Sequence, residues 1–186
     1  MFIETERTPN PATLKFLPGR PVMANGTADF PDPESAQDSP LAAALFALGD
    51  IQGVFFGGDF VSVTKAEGSA DWASLKPQVL GVLVDHFASG APLFTGEIDA
   101  DEEELHDDPA DADIVSQIRE LIDTRVRPAV ANDGGDIVYR GFDKGVVFLR
   151  MHGACAGCPS STATLKNGIE NLLKYYVPEV TEVRAV

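Results

Sequence analysis

Only two of the 186 residues are cysteine, and they stand close together, at Cys155 and Cys158. Two thiols so placed cannot lay out the disulfide framework of a small secreted protein, and a composition that is 44% apolar fills a core without such staples. The sequence also lacks any apolar run long enough to span a bilayer. Its first residues, MFIETERTPN, carry neither the apolar centre of a signal peptide nor an Arg-rich presequence, so a reducing cytosolic compartment is expected.

Bases are scarce as well. There are 14 Lys and Arg against 29 Asp and Glu, a formal net charge of -15. Without a basic stripe, neither nucleic acid nor an anionic membrane is expected as a partner. The excess is concentrated: residues 1–96 hold eleven acids and five bases, residues 97–111 nine acids and no base, and residues 112–186 nine of each. The stretch EIDADEEELHDDPAD, Glu97 to Asp111, repels itself and has almost nothing to bury, which predicts an extended acidic linker.

What is present on either side predicts an α+β fold, two small α+β domains at 1–96 and 112–186 joined by that flexible linker. In the first, ATLKFLPG has strand character, and GVFFGGDFVSVTK places two apolar runs around Gly57 and Gly58 as a hairpin. Leu41, Leu45, Phe46 and Leu48 give one face of a short helix after Ser39 and Pro40, and a longer helix is expected from about Asp71 to Ser89. In the second, Ile114, Ile118, Leu121, Ile122 and Val126 repeat at helical spacing, with Pro128 kinking or ending the helix. Two strands follow, with a turn at Gly134-Gly135 before them and another near Asp143-Lys144-Gly145. A helix carrying Leu165, Ile169, Leu172, Leu173 and Tyr176 ends at Pro178, and a short strand closes the chain segment.

The cysteines sit in GACAGCPSS, between a strand ending near Met151 and a helix opening near Pro159. Proline suits the first helical position, which makes Cys158 the expected N-cap and puts both sulfurs ahead of the helix. There the positive helix end favours thiolate over thiol, and Gly153 and Gly157 let the loop curl. A tetrahedral zinc site or an iron–sulfur cluster takes about four ligands, and one chain offers two thiols; His152 is the one neighbouring histidine and reads as structural or solvated rather than as a ligand. The deficit points to sharing between two chains. Three readings compete: a bridged iron–sulfur cluster, a thioredoxin-like redox pair and a zinc-stabilised dimer. Pro159, directly after the second cysteine, argues against the redox pair.

Elsewhere the structural reading leads. Asp133, Gly134, Gly135 and Asp136 read as a turn and helix C-cap, Phe55 and Phe56 as core, Trp72 as a packing residue and Thr8 to Pro11 as a rigid turn.

DGGDIVYRGF followed by GACAGCPSSTATLKNGIENLLKYYVPEV resembles the C-terminal domain of NifU, shared by the Nfu iron–sulfur carrier proteins. MFIETERTPNPATLKFLPG, GTADF and GVFFGGDFVSVTK resemble the N-terminal domain that accompanies it in the mitochondrial and alphaproteobacterial type. The resemblance implies a homodimer that holds one [4Fe-4S] cluster through Cys155 and Cys158 of each subunit. It implies a carrier without catalytic turnover, loaded by upstream cluster assembly proteins and delivering to apo-proteins. It leaves a bacterial cytoplasm or, for a mature organellar chain, the mitochondrial matrix as the compartment.

Overall fold

The computed structural model of the chain describes residues 2–95, 107–155 and 159–186. The chain divides into two units, Met1–Asp99 and Ala100–Val186.

The first unit is a five-stranded antiparallel sheet with two helices. In chain order its elements are β1 (Glu4–Arg7), β2 (Thr13–Leu17), β3 (Ala28–Phe30), α1 (Pro40–Phe46), β4 (Ile51–Phe56), β5 (Val61–Lys65) and α2 (Trp72–Ser89). The strands lie in the order β1-β2-β5-β4-β3. Alternation selects the faces: Leu14 and Phe16 of β2, Val61 and Val63 of β5 and Val54 and Phe56 of β4 join Leu41 and Leu45 of α1 and Leu75, Val79 and Leu83 of α2 in one core. The expected hairpin is β4–β5, and it turns where Gly57 N–H donates to the Phe60 carbonyl. A Cβ on Gly57 would lie 2.3 Å from the Phe60 ring, so a side chain there would force that ring to move. Phe55 and Phe56 are both buried as expected, Phe56 in that core and Phe55 beside the Phe60 ring at a centroid distance of 5.9 Å. Ser39 caps α1, its hydroxyl accepting from Ala42 N–H, with Pro40 at the first position.

In the second unit a 3-10 turn, Pro109–Asp111, leads into α3 (Ala112–Leu121), a π-helical segment (Ile122–Val126) and α4 (Arg127–Asn132). Pro128 therefore does not end the helix. Proline withholds one N–H and crowds a carbonyl four residues back, and the wider turn ahead of it, in which Arg127 N–H reaches the Ile122 carbonyl, absorbs the conflict. Val115, Ile118, Ile122, Val126 and Val130 stay buried on one side throughout. Next come β6 (Gly135–Asp143), β7 (Val146–Gly153), α5 (Pro159–Tyr176) and β8 (Glu182–Ala185), with sheet order β6-β7-β8. β6 and β7 form the expected hairpin, turning through Lys144 and Gly145 at φ of 48° and 85°. β8 pairs parallel to β7, so α5 is the crossover between them.

Of the acidic stretch 97–111, residues 97–106 lie outside the described residues. The remainder is not an extended linker. Asp107 Oδ1 accepts from the Tyr139 hydroxyl and from Phe142 N–H, both at 2.8 Å, and Asp108 caps the 3-10 turn by accepting from Ala110 N–H at 2.9 Å. Charge density alone suggested repulsion; two donors on the second unit outweigh it for Asp107.

Candidate functional site

The cysteine loop begins where β7 runs out. Gly153, at φ 66°, turns the chain away from the sheet, and Cys155 follows with only 6% of its surface exposed. Cys158, with Ala156 and Gly157, lies outside the described residues, as does its expected N-cap role. α5 does open at Pro159, the residue the sequence singled out.

Three contacts fix Cys155. Ala154 N–H donates to the Gly134 carbonyl at 3.2 Å, which lays the loop on the turn between α4 and β6. Thr162 Oγ1 donates to the Cys155 carbonyl at 2.9 Å, tying the first turns of α5 to it. The third contact is a close approach: a Cβ on Gly135 would stand 2.7 Å from Cys155 Sγ and 2.7 Å from the His152 carbonyl oxygen. The two glycines of the DGGD run thus serve differently. Gly134 takes the left-handed conformation, φ 81°, that ends α4, and Gly135 leaves room for the sulfur.

Asp136, 4% exposed, is held from two sides. Arg127 Nε and Nη2 donate to its two carboxylate oxygens, each at 2.9 Å, and Ile137 N–H donates to Oδ1 at 2.8 Å. The pairing raises the Arg127 pKa, its hydrogen bond to Asp136 being the main cause. This bidentate lock joins α4 to β6 immediately beside the loop. His152 is buried on β7 opposite Asp136 in the strand register. Among the described residues no three His, Cys, Asp or Glu side chains gather as a metal site.

The electrostatics correct one expectation. Burial, then the charges of Asp133 and Asp136, push the Cys155 thiol up to about 12. The helix-end argument foresaw a thiolate; at Cys155 desolvation and two carboxylates act against it and favour the thiol form. Any soft cation that binds this sulfur must displace the proton.

The sequence pointed to Cys155 and gave the DGGD run a turn's role. It missed the contact of Gly135 with the sulfur, the Arg127–Asp136 lock and the Thr162 tie. The doubled glycine was the available signal for the first; no local pattern marks the other two.

Residues 3–90 match the family described as Scaffold protein Nfu/NifU N terminal, and residues 118–184 match the NifU-like domain. The Homo sapiens protein named NFU1 iron-sulfur cluster scaffold homolog, mitochondrial, is 50% identical over 186 residues, 100% of this chain and 72% of that protein. Its namesake in Drosophila erecta is 52% identical over 188 residues, 100% of this chain and 65% of that one. NifU-like protein 5, mitochondrial, of Arabidopsis thaliana is 52% identical over 187 residues, 98% of this chain and 67% of its own. The chain thus spans 65% to 72% of the length of these relatives. Among solved structures, the solution structure of a NifU-like protein from Saccharomyces cerevisiae aligns with a TM-score of 0.46 at 25% identity, covering 52% of this chain and 87% of that one.

Proposed function

The chain belongs to the Nfu/NifU family of iron–sulfur cluster scaffold proteins, and from that premise we propose that two copies hold one [4Fe-4S] cluster between them. Cys155 and Cys158 of each copy supply the four thiolates, and the homodimer delivers the cluster to apo-proteins. The observation that carries the reading is the seat of Cys155: a strand end, a side-chain-free Gly135 and a tie from α5 fix one soft donor in a chain with only one other sulfur of that kind.

Release follows from the same shortage. A four-iron cluster takes about four thiolates, so each chain binds only half of it. When an incoming target thiolate attacks one iron, its Fe–S bond forms as a loop thiolate's breaks, with no change of oxidation state. The chain is a carrier in this reading, without turnover of its own, and upstream assembly proteins load it. The names of the relatives favour the mitochondrial one of the two expected compartments. We assign residues 1–96 to a recognition domain and 112–186 to cluster binding, with the latter domain extended back to Asp107.

The test is iron, acid-labile sulfide and zinc per chain after anaerobic reconstitution, measured on the dimer fraction, followed by transfer to an apo four-iron protein. The expected result is about two irons and two sulfides per chain, lost in the Cys155→Ala and Cys158→Ala chains. Zinc without sulfide, or normal loading of the double variant, overturns the proposal.

A further inference from the structure

The first unit carries a feature that cluster binding does not use. Thr8, Pro9, Asn10 and Pro11 form a braced turn between β1 and β2: Thr8 Oγ1 donates to the carbonyls of Asn10 and Thr13 at 2.9 and 3.0 Å, and Asn10 Oδ1 accepts from Ala12 N–H at 3.0 Å. Trp72, the first residue of α2, is pinned to this turn, its Nε1 donating to the Pro11 carbonyl at 3.2 Å. Turn, indole and β1 enclose an open cavity of about 580 Å³.

The lining is unusual for this unit in its charge. Residues 1–96 hold eleven acids and five bases, yet the cavity wall contains two of those bases, Arg7 and Lys76, and no acid. Lys15, by contrast, pairs with Glu6 at 3.5 Å. Neither Arg7 nor Lys76 takes part in an ion pair or side-chain hydrogen bond among the described residues. Thr5, which lines the same cavity from β1, has a hydroxyl oxygen withdrawn from solvent and bonded to no described atom. A withdrawn hydroxyl without a partner is uncommon in a folded protein and fits a contact still to be made. Beside it, β1 is the edge of its sheet and is paired only with β2.

We infer that this cavity is a docking site for an extended acidic peptide segment of a partner protein. Carboxylates of the segment meet Arg7 and Lys76, an apolar side chain lies on the Trp72 indole, and the segment's backbone runs along β1. Charge complementarity selects the occupant, because an acidic chain repels acidic segments everywhere except where its bases stand unpaired and free of carboxylates. The inference rests on the assignment of residues 1–96 to recognition and stands apart from the cluster reading.

Trp72 is the chain's one tryptophan and lies in the cavity wall, so the chain reports on its own site. A synthetic peptide of alternating Glu and Val, without aromatic residues, is titrated at low salt while indole emission is followed. A saturable change is expected, absent with the Gln-for-Glu peptide and weakened at least about tenfold in an Arg7→Ala/Lys76→Ala variant. Arg20→Ala, which removes an exposed base from another part of the same unit, should leave the affinity within about twofold. The inference is overturned by no saturable change, by equal binding of the Gln peptide, or by an equal loss in Arg20→Ala. Circular dichroism of each variant verifies folding.

Discussion

At the scale of single residues, Gly135 and Cys155 define each other. Gly135→Ala drives a methyl to 2.7 Å from both the sulfur and a strand carbonyl, and backbone on one side cannot yield. We expect a loss of about 1–3 kcal/mol, the usual range for overpacking, with cluster loading falling further than stability; urea denaturation and iron content per chain separate the two. The thiol itself has a pH signature. Alkylation requires thiolate, and a thiol pushed up to about 12 holds a far smaller thiolate fraction at neutral pH than an ordinary one. In a Cys158→Ser chain, iodoacetamide should therefore modify native Cys155 at least about tenfold more slowly at pH ~8 than the urea-unfolded chain. Its rate should keep rising beyond the pH at which the unfolded chain levels off. A native rate equal to the unfolded one would contradict the burial of the sulfur.

At the scale of elements, α5 carries an unneeded weakness. Gly168 sits inside it with nothing within 4 Å of where a Cβ would be, so Gly168→Ala should stabilise the second unit by about 0.5–1 kcal/mol, read as a raised urea midpoint. Elements like this one were legible because apolar spacing reports which face is buried, and that held for α2, α5 and both hairpins. β1 and β3 were not legible: Glu4–Arg7 shows no apolar alternation, and Ala28–Phe30 is too short to show any, since both are edge strands fixed by their neighbours. Pro128 was readable as a kink or an end but the choice between them was not, because the wider turn that absorbs it draws on packing by Ile122, Val126 and Val130. At the site, the spacing of the cysteines and the doubled glycine were visible. The Arg127–Asp136 lock was not, because its partners are nine positions apart and belong to different elements.

For the molecule as a whole, the two units carry separate chromophores: the tryptophan is in the first, and all three tyrosines, Tyr139, Tyr175 and Tyr176, are in the second. Asp107 can be tested against that division. Asp107→Ala removes the acceptor for Tyr139 and Phe142 and should cost the second unit about 1–3 kcal/mol. Tyrosine near-UV signals should melt earlier while Trp72 emission melts unchanged; a joint shift would mean that Asp107 does not act through the second unit alone. The parallel pairing of β8 with β7 bears also on how the protein is made. Synthesis runs from the amino end, so a ribosome has delivered both cysteines before the strand that completes their sheet exists. Val183 of β8 shares the core with Ile169 and Leu173 of α5, and Glu170 accepts from Val183 N–H at 3.1 Å. Until Glu182–Ala185 emerges, that helix lacks its last support, so the second unit is completed only when its last few residues leave the ribosome.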